Sequence, residues 1–211
     1  MEIYSFDRLH STQHYLVEKI SSKEHTAPLA VITAQQTDGI GSRNNSWSGG
    51  EGNFFASVAI EIAMLPKDLP LASASIYFSW IMKSVLVELG IDIWLKWPND
   101  FYYGMHKVGG TITKVVNNIV ICGIGINLQN SLDGFKGLQS NIQPKELLNI
   151  YLETLLKFPT WKHVFIEYEV EFERSRKFSV HIENIQKNLQ NALLCEDGSL
   201  IIDGKRVFSL R

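Results

Sequence analysis

The residues best placed to handle anions stand in two short strings, Lys96-Trp97-Pro98-Asn99-Asp100 and Lys107-Val108-Gly109-Gly110. Pro98 fixes its own φ and has no N–H to donate, so it lifts the residues after it out of a β ladder. Asn99 and Asp100 are then presented as a hydrogen-bonding pair, or Asp100 as a magnesium ligand. Lys107 precedes two glycines, so its ammonium emerges where a ligand can approach the backbone closely. There it can act as a point charge on a carboxylate or a phosphoryl oxygen. The plain alternative for the first string is a β-turn carrying a surface lysine.

Two further segments could bind rather than react. Gln36 to Trp47 alternates Gly39 and Gly41 with small polar residues, and such a backbone can turn its N–H groups toward an anion. A dinucleotide fingerprint fails, because Asn44 stands where the third glycine belongs, and no Gly-x-x-x-x-Gly-Lys-Ser/Thr loop occurs. Gly123-Ile124-Gly125-Ile126-Asn127 places glycines inside an apolar strand, which suggests close approach of a ligand or of another backbone. Asn127 either bonds a ribose, phosphate or metal-bound water, or is a satisfied turn asparagine.

The elements that must carry these residues follow from periodicity. Strands are expected at 2–7, 29–34 and 54–62, with a long polar loop over 35–53. Ser11-Thr12 caps a helix running to about residue 20, and an amphipathic helix over 70–90 ends at Gly90. Strands follow at 93–96, 101–103, 107–116 and 119–126, the last two joined at Asn117-Asn118, a pair that tolerates positive φ. Pro144 opens a helix to 157, a further helix spans 159–173, and the tail turns to short strands. This layout reads as α+β: a mixed β-sheet with helices on one face, plus a small C-terminal barrel-like module.

Composition limits the classes of partner. The chain has 211 residues, 45% hydrophobic and 20% charged, with a formal net charge of −2. That balance gives no electrostatic case for nucleic acid. The two cysteines, Cys122 and Cys195, cannot build a disulfide framework and read as buried inert thiols. No run of about 18 apolar residues occurs, the N-terminus lacks a signal-peptide pattern, and a cytoplasmic location is expected. The histidines, among them His10 and His14, show no metal spacing.

Taken together, these strings resemble the biotin protein ligase family, in order along the whole chain. Lys96 to Asp100 reproduces the family's Lys-Trp-Pro-Asn-Asp, and Lys107 with Gly110 matches the Lys-x-x-Gly that holds biotin and the activated phosphate. Ser11, Thr12, Gln36 and Gly39 match biotin-pocket positions, although Gln13 stands where the family usually has Asn. Gly41, Ser42, Arg43, Trp47, Asn99 and Asn127 fall at nucleotide-binding positions, Trp47 as the adenine contact. The family's loop usually reads Gly-Arg-Gly-Arg; here Ile40 and Ser42 replace both arginines, and Arg43 is expected to take over the phosphate contact.

The resemblance implies a class II synthetase-like (SH2-like) catalytic domain over 1–174 and an SH3-like β-barrel over 175–211. It implies formation of biotinyl-5′-AMP from biotin and ATP with Mg²⁺, and transfer of biotin to a lysine of the biotin carboxyl carrier protein of acetyl-CoA carboxylase. Lys107, Asp100 and Arg43 would carry the chemistry, with Asp100 as the magnesium contact. Residues before Ser11 are too few for a helix-turn-helix, so operator binding is not expected. Homodimerisation through a sheet edge stays open. The nearest rival is lipoate protein ligase, which uses an Arg-rich strand and a Gly-Gly-Gly run absent here; a non-catalytic biotin-binding module is the second.

Overall fold

The computed structural model describes residues 1–41, 46–47, 51–129, 136–183 and 185–208. A seven-stranded sheet organises the chain: β1 (Glu2–Leu9), β2 (Leu29–Gln36), β5 (Phe54–Glu61), β6 (Ile93–Lys96), β7 (Asp100–Tyr103), β8 (His106–Val116) and β9 (Ile119–Ile126). Their spatial order is β1-β2-β5-β9-β8-β7-β6. β1 runs parallel to β2 and every other neighbouring pair is antiparallel. The sheet is therefore mixed, as the sequence suggests.

The helices do not share one face. α1 (Thr12–Ser21) packs on Leu29, Val31, Ala59 and Ile121, whereas α2 (Ala74–Glu88), α3 (Pro144–Leu155) and α4 (Trp161–Ser175) pack with Ala30, Ile32, Val58, Ile60, Val120 and Cys122. Alternate strand residues point to opposite faces, so the two sets lie on opposite sides of the sheet. The expectation of helices on a single face is thus corrected: α1 occupies the other one. α2 is apolar nearly all round because it touches the sheet on one side and α3 and α4 on the other.

The signals read from the sequence for the starts of α1 and α3 are in place. Ser11 Oγ accepts from His14 N at 3.3 Å at the start of α1, and Pro144 occupies the first turn of α3. Thr160 Oγ1 accepts from His163 N, and the Asp68 carboxylate accepts from Trp161 N and Lys162 N at 3.1 and 3.0 Å, so α4 is capped twice. Asn117 and Asn118 take φ of 49° and 61°, the left-handed pair that a tight hairpin needs. The 35–53 segment is less irregular than expected: β3 (Gly39–Ile40) and β4 (Ser46–Trp47) pair antiparallel within it.

The tail forms two small antiparallel sheets, β10-β11 (Ser179–Ile182, Ile185–Asn188) and β12-β13-β14 (Leu193–Leu194, Leu200–Ile202, Lys205–Val207). Val180, Leu189, Ala192, Leu200 and Ile202 join the same apolar cluster as α2, α3 and α4. A turn over 195–199 docks on the β6–β7 turn and on the starts of α4 and α2: Trp97 Nε1 donates to Gly198 O at 2.9 Å, Trp161 Nε1 to Glu196 O at 2.8 Å, and Ser73 Oγ to Asp197 O. Among the described residues no helix is long and apolar enough to cross a membrane.

Candidate active site

On the α1 side of the sheet the covering is incomplete. α1 shields Ile121, but further along β9 the residues facing this side are Gly123 and Gly125, paired with Ile112 and Gly110 of β8. The missing side chains leave a cleft that opens to solvent on this face. Its lining includes Ser11, Thr12, Gln36, Gly41, Trp47, Asn99, Asp100, Lys107 and Gly110. Residues from five separate stretches of sequence thus converge on one concave surface.

One part of the cavity is neutral and polar. Gln36 Oε1 accepts from Thr12 N at 2.9 Å and from Thr12 Oγ1 at 3.2 Å, and Ser57 Oγ donates to Thr12 Oγ1 at 2.9 Å. With its oxygen used by Thr12, Gln36 presents its amide nitrogen to Gly39, where an added Cβ would come within 2.6 Å of it. A Cβ at Gly39 would also strike the Trp47 carbonyl, so only glycine lets β3 and β4 close beside Gln36.

The other part is charged. Asp100 Oδ1 lies 2.6 Å from Lys107 Nζ, and Asp100 Oδ2 lies 3.8 Å from Lys96 Nζ. The two lysines of the sequence strings therefore have different jobs. Lys96 is buried, its ammonium 5.7 Å from the Tyr102 ring centre and 5.9 Å from that of Phe178. Lys107 is 41% exposed and faces the cavity. Two ammonium groups around one carboxylate leave a formal excess of positive charge, suited to an anion. Burial, helped by Asp100, pushes the Tyr102 phenol up to about 12, so it stays neutral.

Asn99 fixes this end mechanically. Its Nδ2 donates to Thr111 O while Thr111 N donates to Asn99 O at 2.9 Å, clamping the turn after Pro98 onto β8. Trp47 lies against Gly125, where a Cβ would come 2.7 Å from the indole nitrogen. Asn127 is not brought to the cavity: its N–H donates to Val108 O at 2.7 Å and its carbonyl accepts from Leu138 N. Ser42 and Arg43 lie outside the described residues. Gln13, Thr111, Ile112 and Ile124 line the cavity and went unassigned in the sequence; only Gln13 carried a signal, as a departure from the usual Asn. Cys122 is fully buried and burial pushes its thiol up, which makes it an inert core residue. Among the described residues no three His, Cys, Asp or Glu side chains gather as a metal cluster.

Comparison with known proteins agrees with this geometry. The model of the biotin/lipoate A/B protein ligase family matches residues 5–129. The chain belongs to that family. The matched span runs from β1 past β9, and so holds every residue named in the cavity. Among curated relatives of the family, the human biotin–protein ligase is 29% identical over 113 residues, covering 49% of this chain and 16% of that protein. The bifunctional ligase/repressor BirA of Bacillus spizizenii is 27% identical over 139 residues, covering 61% of this chain and 41% of that protein. These alignments thus span less than half the length of either relative. Among solved structures, the biotin acetyl coenzyme A carboxylase synthetase from Helicobacter pylori, with bound biotinylated ATP, superposes with a TM-score of 0.94 at 38% identity, covering 98% of this chain and 99% of that one. The biotin protein ligase from Aquifex aeolicus, in complex with biotin and ATP, shares the fold at a TM-score of 0.75 and 22% identity, covering 100% and 96% of the two chains.

Proposed function

We propose that this chain is an ATP-dependent biotin protein ligase that makes biotinyl-5′-AMP and then biotinylates a lysine of the biotin carboxyl carrier protein of acetyl-CoA carboxylase. The observation that carries this reading is one cavity holding both the Thr12–Gln36 polar cluster and the Lys107–Asp100 pair. Biotin has matching ends: a fused ring with a polar ureido edge, and an aliphatic chain ending in a carboxylate. Ser11, Thr12 and Gln36 receive the ring edge, with Gly39 and Gly110 letting the backbone close on it, and Lys107 holds the carboxylate.

In the first step a biotin carboxylate oxygen attacks the α-phosphorus of ATP, the O–P bond to pyrophosphate breaks, and a mixed anhydride forms. Two anions must meet, and Lys107 lowers the barrier by balancing charge that builds up between them. Arg43 and the backbone of Gly41 and Ser42 would contact the phosphates, Trp47 would stack on adenine, and Asn99, which lines the cavity as Asn127 does not, would complete the nucleotide contacts. Asp100 would suit a magnesium ion that keeps most of its water once Lys107, 2.6 Å from Oδ1, turns from it to the biotin carboxylate. When bound, that ion would screen the phosphate charge. In the second step the ε-amine of the acceptor lysine attacks the acyl carbon, AMP leaves, and the nitrogen's proton passes to Asp100 or to water.

The acceptor and the tail are finer parts of the same proposal. The name of the Helicobacter pylori relative supports the acetyl-CoA carboxylase acceptor, and the two small tail sheets are read as a shortened SH3-like module. The test is biotin-dependent exchange of labelled pyrophosphate into ATP by the purified protein, with lipoate as the parallel substrate. Exchange with biotin alone is expected. Exchange with lipoate alone would transfer the chain to lipoate activation, and binding of biotin without exchange would make it a binding module.

A further inference from the structure

Gln13 lines the cavity with an amide whose nitrogen is committed and whose oxygen is not. It sits in the first turn of α1, 6% exposed, and its Nε2 donates to Ile121 O across to β9 at 3.1 Å. A carbonyl oxygen can only accept, so this bond fixes which end of the amide is nitrogen. Oε1 is therefore turned away from Ile121. It is buried and has no hydrogen-bond partner among the described residues.

That oxygen belongs to the cavity wall. A Cβ at Gly123 would come 2.8 Å from Oε1, so glycine at this point of β9 is what leaves room beside it. Ser57 Oγ, which borders the same glycine, directs its proton to Thr12 Oγ1. A buried acceptor without a donor is costly, and this one borders the cavity, where a ligand can supply the donor. The group that suits it is an N–H carried on a compact ring. Asparagine, one methylene shorter, would not reach Ile121 O from the same position on α1.

We propose that Gln13 is a specificity-determining residue whose side-chain carbonyl accepts a ureido N–H of biotin. This rests on the biotin reading above and adds to it. The dithiolane of lipoate carries no N–H, so the same oxygen would be buried unpaired against it. Gln13 thereby selects within the pair of substrates for which the family is described. A site that demands a hydrogen bond rejects an analogue lacking it far more strongly than one that reads shape alone.

The test is calorimetric binding to the full chain of biotin and of two isosteres, each with a different ureido N–H replaced by an ether oxygen. The wild-type protein and Gln13→Met, similar in volume but without the acceptor, are compared as a cycle. Wild-type protein is expected to bind one isostere at least about 10-fold more weakly than biotin. In Gln13→Met that penalty should shrink about 10-fold, while the penalty for the other isostere stays within about 3-fold of its wild-type value. If the variant loses affinity for all three ligands by one common factor, Gln13 merely tethers α1 to β9 and the proposal falls. If Gln13→Met does not fold, the wild-type titrations still decide: equal affinity for biotin and both isosteres overturns the assignment. Failure of the wild-type protein to bind biotin at all would overturn the parent reading as well.

Discussion

The two lysines around Asp100 can be separated by mutation, because one faces the cavity and the other is packed beneath it. Replacing Lys107 by Ala removes the ammonium 2.6 Å from Asp100 Oδ1. The ion pair is partly open to water, with Lys107 41% exposed, so its contribution to stability is about 0–1 kcal/mol. Asp100 is not orphaned, since Lys96 Nζ remains 3.8 Å from its other oxygen. For a domain of this size 1 kcal/mol moves Tm by about 2–4 °C, and the Lys107→Ala melt should fall no further. Activity should respond differently. Loss of one preorganised cationic contact to a developing charge costs about 3–4 kcal/mol in the transition state, or roughly 10²–10³ in rate. Lys96→Ala reverses the pattern, because it empties a buried site against Tyr102 and Phe178. There a Tm loss of about 5–10 °C is expected. Pyrophosphate exchange and thermal melts on the same preparations check both. A Lys107→Ala enzyme within threefold of wild-type exchange, or one that melts more than about 8 °C lower, would refute this division of labour.

Three further outcomes follow from named contacts. Gly125→Ala places a methyl 2.7 Å from Trp47 Nε1 and 2.9 Å from its Cε2, so the indole must move; the KM for ATP should rise about 10-fold while calorimetric biotin affinity stays within about threefold. Gly198→Ala meets both a φ of +78° and the Ser73 hydroxyl, whereas Gly204→Ala meets a φ of +73° and open space. Urea midpoints should place the first about 2–3 kcal/mol below wild type and the second about 1 kcal/mol below; equal losses would remove the packing argument. Burial tends to raise the Asp197 carboxyl, but hydrogen bonds from Ser199 and the Arg206 guanidinium outweigh it and hold it below the ordinary 3.8. Because the folded value is depressed, this stabilisation is present above 3.8 and is lost as pH falls through the folded value. The stability gap between wild type and Asp197→Asn should therefore be widest near neutrality and close in acid, and a gap that widened below pH 3.8 would contradict it.

Much of the scaffold was legible because local signals agreed with it. Ser11 before Thr12, Pro144 at a helix start and Asn117-Asn118 between two apolar runs each name an element by its end, and each is found where expected. The Lys96–Asp100 and Lys107–Gly110 strings are brought together in space, with Asn99, Asp100, Lys107 and Gly110 lining one cavity. The placement of α1 was not legible. β2 is apolar at every position from Leu29 to Ile32, so alternation says nothing about which face α1 covers. The Gly39–Trp47 hairpin was missed for a related reason: two strands of two residues show no periodicity. The separate roles of Lys96 and Lys107 depend on Phe178, which is distant in sequence from both. Gln13 shows the same limit, since its partner lies 108 residues away.

The turn over 195–199 has a consequence for the order of folding. The buried indole N–H of Trp97 is satisfied by a carbonyl 101 residues downstream, and the hydroxyl of Ser73 by one 124 residues away. Contacts of that separation close large chain loops, whose entropy must be overcome before the contact gives anything back. The turn between Lys96 of β6 and Asp100 of β7 thus completes its hydrogen bonding only when the distal turn is docked. The charged end of the cavity is thereby tied to a meeting of the chain's most widely separated segments, and a chain in which that turn is undocked would hold it unsecured.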